Sequence, residues 1–202
     1  MERIVPSLIA SSQEELDERA RKLKGCFFHL DVMDGAFVPN KSLLFDFSFR
    51  EKSEAHLMMK KPCEWLKENA GDVDRIIIHA ESDDASNAVK MAKASGKKVG
   101  IAINPGTPAD AVEEYAKRID KIVVMTVHPG AYGTTFLPET LGKIKQLRKM
   151  YPDVLIEADG GVSPETIEAL RKAGADLFVA GSYLQNSDEP LKAKKELEML
   201  VK

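Results

Sequence analysis

Apolar runs of strand length alternate along the chain with stretches of helical spacing. The runs are IVPSLIA (4–10), CFFHLDV (26–32), EAHLMM (54–59), RIIIHA (75–80), KVGIAI (98–103), KIVVMTV (121–127), VLIEA (154–158) and DLFVAG (176–181). They are continuous rather than alternating, the pattern of strands covered on both faces. Between them, SSQEELDERARKLKG (11–25) opens with serine caps and acidic residues and closes on Lys24-Gly25, a helix with a defined start and stop. TPADAVEEYAKR (107–118) and SPETIEALRKAG (163–174) each begin with a hydroxyl residue followed by proline, which predicts helices starting there. The fourth to eighth runs begin at 75, 98, 121, 154 and 176, so one strand-helix unit recurs per step, with a longer insert after the sixth.

Eight strands alternating with helices imply a parallel sheet with right-handed crossovers, and eight is the number that closes a (β/α)8 TIM barrel. At 202 residues the chain is near the lower size limit of that fold, which leaves an open sheet as the alternative. The stretch KSLLFDFSFREKS (41–53) is short for a full second helix. No linker or low-complexity segment interrupts residues 1–202, so one domain is expected.

Charge and cysteine content narrow the partners. A net charge of -3 without a basic block gives no reason to expect nucleic acid or an anionic membrane surface. No window approaches the 18 or so apolar residues of a membrane span, and MERIVPSLIA lacks the apolar core of a signal peptide. Two cysteines, Cys26 and Cys63, make neither a disulfide framework nor a structural zinc site. A soluble cytoplasmic protein is the expectation.

The candidate chemistry sits at the ends of the runs. All four histidines, His29, His56, His79 and His128, fall in or at the end of a predicted strand. His29 and Asp31 are two apart and share one face; His56 lies in the next strand, and Asp159 ends the seventh. Two imidazoles and two carboxylates at one barrel mouth would form a mixed nitrogen/oxygen site suited to Zn²⁺, Mn²⁺ or Fe²⁺. Spacing alone leaves a satisfied buried pair and a metal site both open. Asp159-Gly160-Gly161 and Gly181-Ser182 follow the seventh and eighth strands, the usual phosphate loops of such barrels; tight turns are the alternative, but two such loops at adjacent strand ends favour a phosphate. HPGAYGTTFLPE (128–139) is long enough for a lid or for a solvated connection.

Together these segments resemble the ribulose-phosphate 3-epimerase family: PSLIAS, HLDVMDGAFVPN, HLMMKKP, IIIHAES, MTVHPGAYGTTF, EADGGVSPETI and GADLFVAGS follow in the family's order over nearly the whole chain. The resemblance implies a metal-dependent (β/α)8 barrel interconverting D-ribulose 5-phosphate and D-xylulose 5-phosphate. It implies one divalent ion per chain (zinc, iron, manganese or cobalt) on His29, Asp31, His56 and Asp159, with Asp31 and Asp159 as the acid/base pair. Ser7 and His56 would contact substrate, and Met33, Met58 and Met125 would pack around the reacting carbons. Gly160, Gly161, Gly181 and Ser182 would hold the phosphate under a lid of Gly130, Ala131, Tyr132 and Gly133. A homo-oligomer is implied too.

Three positions depart from the family pattern. Ala36 stands where the family has histidine after MDG. The lid reads PGAYGTT instead of PGFGGQ, with Tyr132 for a glycine and Thr134 for the glutamine. The segment after FVPN is shorter. These alter the walls around the sugar, so a six-carbon ketose phosphate such as D-allulose 6-phosphate is the alternative substrate. A lyase or decarboxylase of the related barrels would resemble D-x-K-x-x-D, but Asp31 is followed by Val32-Met33-Asp34. A non-catalytic sugar-phosphate binder would need a decayed site, and the four polar residues are intact.

Overall fold

The computed structural model describes residues 2–202. Eight parallel strands close into a (β/α)8 barrel: β1 (Ile4–Leu8), β2 (Phe28–Asp34), β4 (Ser53–Met58), β5 (Arg75–His79), β6 (Lys98–Ile103), β7 (Lys121–Met125), β8 (Leu155–Asp159) and β9 (Leu177–Ala180). Closure is direct, because β1 pairs with β2 on one side and with β9 on the other. The two-residue β3 (Lys41–Ser42) runs antiparallel to the end of β2. Residues 41–53 contain no helix, as their length suggested; Phe45, Phe47 and Phe49 lie half-buried along an extended stretch.

The continuous apolar runs reflect two separate cores. Ile76 and Ile78 join the large cluster between barrel and helices, whereas Ile77 packs inside with Ala102 and Val123. Successive strand residues point to opposite faces, so both sets must be apolar where no chemistry intervenes. In β2 the same alternation sends Phe28, Leu30 and Val32 outward to the helix-facing core.

The amino-terminal end of the barrel is pinned by a repeated clasp. Asp74, Asp120 and Asp176 each precede a strand. Their carboxylates accept the backbone N–H of Ser53, Val99 and Ile156 at 2.9, 2.8 and 2.8 Å. Their own N–H groups donate to the carbonyls of the same three residues at 2.9, 2.7 and 2.8 Å. Each clasp ties one strand to the next at the face opposite the polar strand ends.

The helices are α1 (Gln13–Arg21), α2 (Pro62–Asn69), α3 (Ala85–Ala94), α4 (Thr140–Met150), α5 (Ile167–Ala173), α6 (Ser182–Gln185) and α7 (Pro190–Leu200). Ser12 caps α1 by accepting the Glu15 N–H at 3.2 Å, and the helix gives way to turns after Arg21, short of Lys24-Gly25. The segment 107–118 is not an α-helix. Only Ala109–Val112 is regular, as a 3-10 turn, and i→i−3 bonds continue through Tyr115 and Arg118. That geometry rises about 2.0 Å per residue instead of ~1.5 Å, so a short segment spans the barrel flank. Helix α5 begins four residues beyond Ser163. Thr166 intervenes by accepting the Ser163 N–H at 3.0 Å and donating to the Gly161 carbonyl at 2.7 Å, a local side-chain turn that competes with helix. Among the described residues no helix is long and apolar enough to cross a membrane.

Candidate metal centre and active site

Because Phe28, Leu30 and Val32 pack outward, His29 and Asp31 point into the barrel. Strand register sets Asp31 beside His56 of β4, and Met125 of β7 beside Asp159 of β8. The four polar side chains converge. His29 Nε2 lies 3.0 Å from His56 Nδ1. Asp31 Oδ1 is 3.4 and 3.3 Å from those two nitrogens, and Asp159 Oδ2 is 3.4 and 3.2 Å from them. Both imidazoles are fully buried, and both aspartates are 7 % exposed toward the mouth.

These residues could hold a metal ion, and three observations fit one. Metal bonds of about 2.0–2.2 Å place neighbouring ligand atoms roughly 3.0–3.6 Å apart for octahedral to tetrahedral angles, which matches the separations above. Among the described residues, the buried Asp159 Oδ2 has no hydrogen-bond partner, a costly condition for a carboxylate oxygen. Finally, His29 Nδ1 lies 2.9 Å from Glu54 Oε1, so a neutral His29 donates there and turns the Nε2 lone pair toward His56. Nitrogen and carboxylate donors of this kind suit a borderline divalent ion.

Electrostatics point the same way. Burial alone would lower the basicity of His29, but the carboxylates of Asp159, Asp31 and Glu54 outweigh it and hold the imidazole well above its ordinary value. His56 is raised for the same reason, by Asp159 and Asp31 against its own burial. Burial works against ionising Asp31 and Asp159 too, yet the facing imidazoles keep both carboxyls below their usual range. The cluster therefore attracts positive charge, as protons on the rings or as a cation.

Five further polar residues support this centre; sequence reading singled out only His79 among them, and without a role. Lys121 Nζ bonds Glu54 Oε2 at 2.6 Å and both Glu157 oxygens at 2.7 Å, all three side chains being buried toward the barrel floor. Burial raises the Glu157 carboxyl to about 7, with Glu54 adding to the rise and Lys121 opposing it. On the other side, His56 Nε2 lies 2.8 Å from His79 Nε2, and His79 Nδ1 lies 3.0 Å from Glu81 Oε2. Glu81 also accepts the Asn104 N–H at 2.7 Å and the Thr107 hydroxyl. Burial opposes its ionisation, but His79, Thr107 and Asn104 hold its carboxyl at about 2. A charged residue inside an otherwise apolar strand, as at Glu54, Lys121 and Glu157, was the available signal.

A small cavity of about 50 Å³ opens above the centre. Ser7, Asp31, Met58, Met125, Gly130, Ala131, Tyr132, Gly133, Asp159, Gly160, Gly161, Gly181 and Ser182 line it, so most expected substrate-facing residues meet there. Two do not. Met33 is fully buried in a cluster with Val38 and Met58, and His56 lies behind the aspartates. His128 is also outside: β7 ends at Met125, and Thr126 turns the chain by bonding the Asp159 and Gly160 carbonyls. His128 is exposed. Gly160 is required at its turn, with φ +100° and a Cβ position 2.3 Å from Val127 Cγ2. The Asp34-Gly35 turn after β2 is held by Asp34, whose carboxylate accepts the N–H groups of Ala36, Phe37 and Lys60.

The loop after β7 is fastened to β1 through Tyr132. Its hydroxyl donates to the Ser7 carbonyl at 2.8 Å and accepts the Ile9 N–H at 2.9 Å. The ring lies so close to Gly181 that a Cβ there would come within 2.6 Å of it. Ala36 is exposed and does not border the cavity.

Residues 3–185 match the model of the ribulose-phosphate 3-epimerase family. The chain belongs to this family. It is 37 % identical to the ribulose-phosphate 3-epimerase of Mycobacterium tuberculosis over 94 % of this chain and 89 % of that protein. It is 34 % identical to the cytoplasmic isoform of the Oryza sativa enzyme, over 93 % and 89 %, and 33 % identical to the Bacillus subtilis enzyme, over 98 % of each. The family places the protein among carbohydrate epimerases, in the isomerase class. More distant solved structures share the barrel. A 3-hexulose-6-phosphate synthase superposes with TM-score 0.70 at 20 % identity over 99 % of this chain and all of the other. An orotidine 5′-phosphate decarboxylase from Pyrococcus horikoshii gives 0.67 at 14 %, over 98 % of each.

Proposed function

We propose that this epimerase inverts C3 of a ketose phosphate, converting D-ribulose 5-phosphate to D-xylulose 5-phosphate, with a divalent ion held by His29, Asp31, His56 and Asp159. The observation that carries this reading is the arrangement of the two aspartates. They come from strands on different sides of the mouth, flank the same two imidazole nitrogens and both border the cavity.

Inversion next to a carbonyl requires a proton to leave one face of C3 and another to arrive on the opposite face. One aspartate, ionised, takes the C3 proton; the C3–H electron pair forms the C2=C3 double bond and the C2 oxygen becomes negative. The other aspartate must hold a proton at that moment, against the imidazoles that favour its ionised form, and delivers it to the far face as the carbonyl re-forms; the roles exchange for the reverse reaction. The bound ion supplies positive charge that stabilises the negative charge developing on the substrate oxygens. Met58 and Met125 bound the cavity with apolar, adaptable surface, which keeps water from the planar intermediate. Gly160, Gly161, Gly181 and Ser182 border the same cavity, and their backbone N–H groups would bind a phosphate there, anchoring the remote end of the sugar and aligning C3 with the two carboxylates.

Conversion of D-ribulose 5-phosphate to D-xylulose 5-phosphate by the purified protein tests this reading, with D-allulose 6-phosphate assayed in parallel. Chelation should abolish turnover, and Zn²⁺, Mn²⁺, Fe²⁺ or Co²⁺ should restore it. Full activity in metal-free protein would refute the ligand set's role. Faster turnover of the six-carbon sugar would move the substrate to the alternative without changing the chemistry.

A further inference from the structure

We propose that His79 and Glu81 are positioning residues that fix the tautomer of His56, so that its Nδ1 lone pair, rather than an Nδ1 hydrogen, faces the metal centre. The inference rests on the metal-dependent reading above and concerns residues to which that reading gives no role.

His56 faces a conflict. Its Nδ1 lies 3.3 Å from Asp31 Oδ1 and 3.2 Å from Asp159 Oδ2. Two carboxylates at that range favour a hydrogen on Nδ1, and a neutral imidazole so arranged has no lone pair to offer an ion there. The opposite nitrogen must therefore decide the tautomer.

Nε2 of His56 and Nε2 of His79 are 2.8 Å apart, so one hydrogen is shared between them. Which ring owns it follows from the far end of His79. Nδ1 of that ring faces Glu81 Oε2 at 3.0 Å. Oε1 of Glu81 already accepts the Asn104 N–H and the Thr107 hydroxyl; these donors favour the ionised carboxylate, whose Oε2 can only accept. His79 Nδ1 therefore carries a hydrogen and its Nε2, in the neutral ring, a lone pair. The shared hydrogen then belongs to His56 Nε2, which leaves His56 Nδ1 free to coordinate.

The relay is also mechanically fixed. His79 is fully buried, set edge-on to His56 with ring centroids 4.9 Å apart and planes 17° apart, and flanked by Phe37 at 4.7 Å. Glu81 is held by residues that follow β6, so the chain of contacts runs across three strands to one ligand. His29 reaches the same end in a single step, because Glu54 accepts directly from its Nδ1. Metal-bound imidazoles depend on such partners, whose removal costs about 10–100-fold in metal affinity.

The test compares wild type with His79→Phe, His79→Gln and Glu81→Ala. Zinc affinity is measured by competition with a chromophoric chelator, and histidine tautomers in the zinc-loaded wild type by long-range ¹H–¹⁵N NMR. His79→Phe keeps a flat aromatic ring, somewhat larger, that cannot accept a hydrogen, and zinc affinity should fall about 10–100-fold. His79→Gln can accept through its amide oxygen and should recover most of the loss, which a purely structural role would not produce. Glu81→Ala should fall between the two. The NMR spectrum should place the His79 hydrogen on Nδ1, a reading that stands even if His79→Phe fails to fold. Wild-type zinc binding with unchanged affinity in His79→Phe, or a hydrogen on His79 Nε2, would overturn the relay alone. Absence of zinc binding in the wild type would overturn the metal reading and the relay with it.

Discussion

Two polar layers lie inside the same barrel, and they are neutralised in different ways. Toward the floor, Glu54 and Glu157 close around Lys121 at 2.6–2.7 Å, so the protein supplies its own cation. At the mouth, Asp31 and Asp159 face only two imidazoles, and among the described residues no lysine or arginine forms an ion pair with either. Both layers pay the cost of burying carboxylates. The floor carries its own cation and touches the mouth only through Glu54, which accepts from His29 Nδ1. The mouth concentrates negative charge on side chains that also border a cavity, and that difference separates a barrel's support from its chemistry.

The sharpest way to test the contrast is to remove one carboxylate from the mouth. Asp31→Asn and Asp159→Asn should each lower turnover by about 10²–10⁴-fold or more, the usual worth of a positioned acid or base, while the circular dichroism spectrum stays that of the wild type. Near-normal turnover in either variant would sink its assigned role. At the floor the damage should fall on stability instead. Lys121→Met leaves two buried glutamates without their cation and should cost about 3–5 kcal/mol in urea denaturation. A loss below about 1 kcal/mol would mean the floor is neutralised by other means, with Glu157 protonated as its raised value of about 7 allows.

Smaller effects should appear at the rim. Tyr132→Phe removes the hydroxyl that joins the Ser7 carbonyl to the Ile9 N–H, a loss of about 1 kcal/mol in loop attachment. Amide hydrogen exchange in residues 129–136 should quicken about fivefold, with the floor layer's protection unchanged; equal exchange in both proteins would show that the hydroxyl does not hold the loop. The Glu81 carboxyl sits at about 2, below the ordinary 4.5, as His79, Thr107 and Asn104 outweigh its burial. A depressed carboxyl contributes stability that is fully present above about pH 4.5 and is lost as pH falls toward 2. The stability difference between wild type and Glu81→Gln should therefore be constant from pH 5 to 7 and shrink between pH 4.5 and 2. A difference that grows on acidification would contradict the ionised state on which the relay depends.

Much of this was legible in the sequence, and for a physical reason. Continuous apolar runs report strands buried on both faces, and eight of them separated by connecting segments describe the barrel. His29 and Asp31 could be paired because strand periodicity is local. What the sequence hid depends on register between distant strands: nothing near Lys121 announces that it meets Glu54 and Glu157, and nothing near His79 announces His56. Local signals also misled where side chains compete with backbone. Thr126 ends β7 early and leaves His128 outside, and Thr166 delays α5 past the Ser163-Pro164 start. The Thr107-Pro108 start leads into 3-10 turns instead of a helix. Met33, expected beside the reacting carbons, is sealed behind Met58 and Val38.

The most direct measurement of the central claim is exchange of the C3 proton of D-ribulose 5-phosphate in D₂O, followed by NMR with metal-loaded protein. The two-carboxylate mouth predicts deuterium at C3 appearing together with D-xylulose 5-phosphate, and neither in Asp31→Asn. Formation of D-xylulose 5-phosphate with the original C3 proton fully retained would contradict proton transfer by two opposed aspartates open to solvent. No exchange into either the five-carbon or the six-carbon ketose phosphate would contradict the epimerase reading of this site.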